Sequence, residues 1–315
     1  MLKYLLKRVL IALPVILGVT IIMYTMISLM PGDIVDLMVE PNLSQQAKDQ
    51  RRHELGLDRP VPIQYARWLG RSVQGDLGYS FVNSQPVSKR IGQRVGPTLL
   101  LSLTALGIAY LVAIPVGVVS ATKQYSVWDY GSSVLALVGV SIPGFFLGIG
   151  LIYIFALKLH VLPVSGMRSL GVETTVDLIR HLVMPAVVLS VGTMGAVTRY
   201  TRSSMLDVVR QDYIRTARAK GVKERGVVYK HALRNALLPV ITLLGLQLPN
   251  LLAGAIITES VFNWPGMGRL VIEAISNRDY PVLMGTSLLT AVMVVAGGLL
   301  TDVLYSAADP RIRFS

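Results

Sequence analysis

Residues 212–239 read DYIRTARAKGVKERGVVYKHALRNALLP, a basic stretch set between two long apolar runs. Lipid does not hold that many charges, so the stretch lies outside the bilayer while its flanks cross it. A spanning helix needs roughly 20 apolar residues. Six runs of about that length are present: Val9–Met30, Pro97–Ala121, Ser132–Leu157, Leu182–Val197, Ala236–Thr258 and Val282–Ala307. With 52% hydrophobic and 15% charged residues, the composition is that of a membrane protein. The expected fold is an all-α polytopic bundle of six transmembrane helices.

Charge orients the bundle. With the N-terminus in the cytoplasm, the cytoplasmic Lys and Arg are Lys3, Lys7, Arg8, Lys123, ten between Arg199 and Arg234, and Arg311 and Arg313. The short outer loops hold Lys158, Arg168, Arg180, Arg269 and Arg278 alone. Segment 31–96 lies beyond the length of roughly 60 residues within which charge sets orientation. Both termini are therefore expected in the cytoplasm. The net charge of +12 follows from this topology and calls for no nucleic acid. The first run follows Lys3, Lys7 and Arg8 as a signal peptide would. It meets Pro31-Gly32-Asp33 instead of a small-residue cleavage site, and reads as a retained helix.

The expected organisation is a first helix over 1–30, an extracytoplasmic loop over 31–96, a five-helix core over 97–310 and a tail over 311–315. The core contains a cytoplasmic loop over 199–235. Within the outer loop, Ser44–Leu55 reads as a helix ending near Gly56, and Pro62–Val73 as another. Residues Gly75–Ser80 are turn-rich. This loop has two open roles, a functional surface or a cap on the outer helix ends. Gly139, Gly144, Gly148 and Gly150 crowd the third run, and Pro14, Pro115, Pro143, Pro185 and Pro249 punctuate the helices. Such residues suit closely packed helices.

In the basic stretch, Asp212 is expected to cap a short helix whose last turn holds Arg218 and Lys220, with Gly221 just beyond. Ile214, Ala217 and Gly221 share a face of small side-chain bulk suited to a close partner. Arg215 and Arg218 lie opposite, where they can meet carboxylates. An ordinary basic loop near anionic lipid fits the same charges. In the fifth run Gln247, Asn250, Gly254 and Thr258 recur at helical spacing, either lining a wet path or joining helices by hydrogen bonds. Outside the membrane, Asp76, Tyr79, Trp264 and Tyr280 are candidates for a gate or a partner contact, and an interfacial aromatic belt also accounts for Trp264 and Tyr280.

Several classes are disfavoured. Cysteine is absent, and His53, His160, His181 and His231 are scattered without metal-ligand spacing. The apolar runs carry almost no charge, apart from Glu259 and Asp302 near their ends, whereas a secondary transporter usually needs one near mid-membrane. There is no G-x-x-x-x-G-K-[ST] phosphate loop.

The basic stretch resembles the EAA loop of ABC-importer permeases. Setting that motif's glycine on Gly221 matches Ala217 and Leu233, with Arg215 at its glutamate position, Thr216 beside it and Arg234 at its proline position. RTARAKG and HALRNALLPVIT are closer to the peptide/nickel branch. That resemblance extends through MPGD (Met30–Asp33), GDLGYS (Gly75–Ser80), GVSIPGFFLG (Gly139–Gly148) and LPVSG (Leu162–Gly166). It continues through ESVFNWPGMGRL (Glu259–Leu270), RDYPV (Arg278–Val282) and DPRIR (Asp309–Arg313).

It implies a type I (MetI-like) permease subunit, not itself an enzyme, in a bacterial inner membrane. The implied partners are a second homologous permease, two cytoplasmic ATPases carrying ATP and Mg, and an extracytoplasmic binding protein. The implied substrate is a short peptide, with nickel or another small solute as the alternative. Residues Arg215, Thr216, Ala217, Arg218, Ala219, Lys220 and Gly221 would then form the helix that couples to an ATPase.

Overall fold

The computed structural model describes residues 2–29, 44–247 and 255–308, and every described element of regular structure is helical apart from one isolated bridge, Tyr79 to Pro86. Helix α1 spans Leu2–Ser28, followed by α2 (Gln45–Leu55) and α3 (Val61–Val73). The long helices are α4 (Val87–Thr122), α7 (Thr175–Val209) and α13 (Tyr280–Ala308). Between α4 and α7 lie α5 (Val127–Ser141) and α6 (Gly144–Lys158), the latter ending in a π-helical stretch. After α7 come α8 (Asp212–Ala219) and α9, made of Glu224–Gly226, a π-helical Val227–Ala232 and Leu233–Ala236. Then follow α10 (Leu238–Gln247), α11 (Ile256–Val261) and α12 (Met267–Ser276).

Among the described residues, Leu10–Ser28, Val87–Thr122, Thr175–Val209 and Tyr280–Asp302 are long and apolar enough to cross a membrane, and α5 with α6 makes a bent fifth. Residues 248–254 of the fifth apolar run, and MPGD at 30–33, lie outside the described residues.

Helices α4 and α7 extend beyond the runs that announced them. At 36 and 35 residues they are each about 50 Å long, against roughly 30 Å of hydrocarbon. The expected boundary between 96 and 97 falls inside α4, because the helix already starts at Val87 and carries Pro97 within it. The third run, read as one span, is instead two helices meeting at 100°. The cause is local: the Pro143 ring disfavours helical backbone at Ile142, which adopts φ −77°, ψ 123°.

Packing centres on α4 against α7, with α5 beside α7 and α1 along α13. The approach of α4 to α7 is close enough that a Cβ on Gly117 would stand 2.6 Å from Thr201 Cβ and 2.9 Å from the Thr198 carbonyl oxygen. In the outer segment Ser44 caps α2, its hydroxyl accepting from Ala47 N at 3.3 Å, and Gly56 closes it at φ 69°. Tyr65 and Gln64 of α3 bond Thr20 and Tyr24 of α1, which pins this segment to the first helix.

Candidate functional site

Helix α8 rests on an apolar base built by its own chain. Ile214 is fully buried and Ala217 nearly so, packed with Val118 and Ala121 of α4, Met205 of α7, and Val227, Val228, Ala232 and Ala236 of α9. The remaining face is open: Arg215, Thr216, Arg218, Ala219 and Lys220 are all exposed.

This reverses the expectation for the small-residue face. A narrow apolar face does not itself declare its partner, and here the ends of α4, α7 and α9 complete it. Ala217 is thus a packing residue, and the polar side is the exposed one. Asp212 is not the cap either; Gln211 holds that position in extended backbone, and Asp212 is the first helical residue. Gly221 follows the helix at φ 76°, with open space around it, so backbone geometry alone favours glycine there.

Arg218 crosses the turn to Glu224, donating to both carboxylate oxygens at 2.8 and 3.2 Å. The guanidinium holds Glu224 below its usual range, and the carboxylate raises Arg218 in turn. Arg215 lies only 3.5 Å from Asp212 and is 74% exposed, so its charge faces solvent.

Three buried carboxylates join helices above and below the bundle. Asp129, in the first turn of α5, accepts from Arg202 Nε at 2.6 Å and Nη2 at 2.9 Å, from Ser120 Oγ at 2.6 Å and from Tyr125 N at 3.0 Å. Asp279, before α13, accepts from Ser80 Oγ, Phe81 N and Arg90 Nη1. It thereby ties GDLGYS to RDYPV. Glu259 accepts from Thr98 Oγ1 and from Arg269 N, capping α12 from a neighbouring helix.

A Cβ on Gly266 would overlap the Glu259 carboxylate, which accounts for glycine in WPGMG. The roles of Asp129, Arg202, Arg90 and Asp279 were missed from sequence, since their partners lie far along the chain. The signal for the outer pair was the place of Ser80 in GDLGYS and of Asp279 in RDYPV.

Asp76, Tyr79 and Tyr280 share one cleft of about 500 Å³, walled also by Tyr24, Trp68 and Arg71. Trp264 does not belong to it. It is fully buried beside Leu101 and Ala186, and its Nε1 donates to the Pro97 carbonyl at 2.9 Å. This corrects the expectation of an exposed contact or belt residue, because the indole's polar end is satisfied inside the chain. Tyr280 is also buried, leaving Asp76 and Tyr79 as the exposed members.

Of the polar stripe, Gln247 is half-buried and Thr258 buried, so the stripe does not open at Thr258. Asn250 and Gly254 lie outside the described residues.

The family model described as binding-protein-dependent transport system inner membrane component matches residues 113–314, and its N-terminal companion matches residues 1–104. The chain belongs to this family of permeases. The oligopeptide transport system permease protein AppB of Bacillus subtilis is 45% identical, covering 100% of both chains. The dipeptide transport system permease protein DppB of Escherichia coli is 40% identical, covering 99% of each. A putative peptide permease protein of Brucella suis is 47% identical, again covering 99% of each.

Among solved structures, the inward-facing MetNI methionine ABC transporter aligns with TM-score 0.55 at 18% identity, over 70% of this chain and 96% of that one. At that identity the likeness concerns the fold, and it establishes a MetI-like helical core.

The permease is therefore a multi-pass subunit of a bacterial inner-membrane ABC importer, and ATP hydrolysis belongs to separate subunits. An importer of this type works with a partner permease, ATPases and a binding protein. The open face of α8 is an exposed basic surface, carrying Arg215, Arg218 and Lys220.

Proposed function

We propose that this permease forms, with a second homologous permease, the path by which short peptides enter the cell. The carrying observation is full-length identity of 40% to 47% with permeases named for peptide, oligopeptide and dipeptide transport. An extracytoplasmic binding protein delivers the peptide, and two cytoplasmic ATPases holding ATP and Mg drive the cycle. All six apolar runs cross the membrane, with both termini in the cytoplasm.

The exposed Arg215, Thr216, Arg218, Ala219 and Lys220 enter a groove on one ATPase, where the guanidinium groups meet carboxylates. Ala217 and Gly221 serve the same site indirectly, by seating the helix and turning the chain after it. Gln247, Asn250 and Gly254 line the path, where neutral polar walls and small side chains suit a peptide backbone. Asp76 and Tyr79 at the outer cleft meet the binding protein.

Reconstitution of the two permeases with ATPases and binding protein in liposomes tests this. Labelled di- to pentapeptides should accumulate only with ATP. Accumulation of nickel ions and no peptide would overturn the substrate class, and peptide uptake without the ATPases would overturn the machine. The chain has no cysteine, so a single cysteine at Thr216 gives a clean cross-link to an ATPase.

A further inference from the structure

We infer that Asp129 and Arg202 are positioning residues that make α8 move as one body with α4, α5 and α7. This rests on the proposed docking of α8 on an ATPase, and goes on to say how that push reaches the membrane.

The geometry is specific. Asp129 is 3% exposed and engages Arg202 through two parallel bonds of 2.6 and 2.9 Å. Its other contacts are Ser120 on α4 and the backbone of Tyr125 in the α4–α5 turn. One carboxylate thus holds three helices. Arg202 stands seven residues before the end of α7, about 10 Å of helix, and α8 begins three residues after that end. Met205, one turn beyond Arg202, is fully buried in the apolar base beneath Ile214 and Ala217.

Beside this junction the Gly117 contact brings α4 and α7 close at Thr198 and Thr201. The seat of α8 is therefore fastened to α4 and α7 by packing, and α5, which packs along α7 with Ala136 and Val140 against Gly195, is held to them by a directional ion pair as well. A buried ion pair gains little stability over apolar side chains of similar volume. What it adds is a fixed angle: apolar surfaces slide, whereas a two-pronged guanidinium–carboxylate contact does not. Without it α5 can lag behind α7 when α8 is driven.

The test uses the whole transporter in liposomes and reads ATP hydrolysed per peptide imported. Arg202→Lys keeps the charge and loses the two-pronged contact; Asp129→Asn keeps the shape and loses the charge. A merely structural role lowers the number of working transporters, so uptake and hydrolysis fall in proportion and the ratio stays constant. The positioning role raises the ratio by about fivefold or more, since a coupling free energy is being lost. A ratio equal to that of the unsubstituted transporter in both variants overturns it.

If single variants fail to assemble, Asp129→Asn with Arg202→Gln leaves no lone buried charge, and an unchanged ratio there is equally fatal. The Thr216 cross-link separates the two ideas. Its absence in the otherwise unsubstituted transporter refutes docking, whereas its presence beside an unchanged ratio refutes positioning alone.

Discussion

Replacing Gly117 with alanine adds one methyl group where α4 meets α7, and its effect can be worked out from the contact. The new Cβ would lie 2.6 Å from Thr201 Cβ and 2.9 Å from both Thr201 Cγ2 and the Thr198 carbonyl oxygen. Carbon atoms rest at about 3.5–4.0 Å, so the helices must part by about 1 Å. The carbonyl belongs to the α7 backbone and cannot rotate away as a side chain would.

Overpacking of this kind costs about 1–3 kcal/mol, while alanine returns up to about 1 kcal/mol of helix propensity. Gly107 lies on the same helix with nothing within 4 Å of its built Cβ, so Gly107→Ala keeps the gain without the clash. The two variants should differ by about 1–3 kcal/mol, with Gly117→Ala the less stable. At about 2 °C per kcal/mol for a chain of this size, their unfolding midpoints should separate by about 2–6 °C. Thermal unfolding of the purified complex measures this. Equal midpoints would show that α4 and α7 are not packed as described.

Ala217→Asp buries a carboxylate in the apolar base and should strip the permease from membranes, whereas Thr216→Asp should leave its amount unchanged while reducing peptide uptake; immunoblotting beside uptake assays decides. Glu224→Gln removes an exposed partner of Arg218 and should cost no more than about 1 kcal/mol in thermal unfolding. Because Glu224 is held below its usual range, its contribution is full above the unfolded-state value and fades as pH falls through the folded one. Midpoint differences between this variant and the unsubstituted chain should therefore be flat from pH 8 to 5 and shrink only at lower pH. Trp264→Phe abolishes the bond to the Pro97 carbonyl and leaves a gap in a packed cluster; about 1–3 kcal/mol should be lost in the same assay.

The helices were legible because lipid demands long apolar runs, and those runs mark α1, α4, α7 and α13. Their extensions were not. Val87–Gly96 and Arg199–Val209 carry Arg90, Arg94, Arg199 and Arg202, which a hydropathy pattern assigns to loops. Arg90 stays helical and part-buried beside Asp279, 189 residues away, and Arg202 beside Asp129, 73 residues away. Such pairings are invisible to local spacing. Pro143 was visible as punctuation, but its 100° bend depends on the path of the chain in space. For α8, spacing revealed two faces and left open which one the chain keeps for itself.

That division gives α8 two independent histories. The inner residues Ile214 and Ala217 answer to Met205, Val118 and α9, and any change there must be matched within this chain. The outer residues Arg215, Thr216, Ala219 and Lys220 are exposed and are not members of that base, so they can be rewritten without repacking it. On the proposed docking of α8, such a permease can be fitted to a different motor protein by exchanging a handful of surface side chains. Grafting only those positions between related importers is thus a practical route to hybrid transporters.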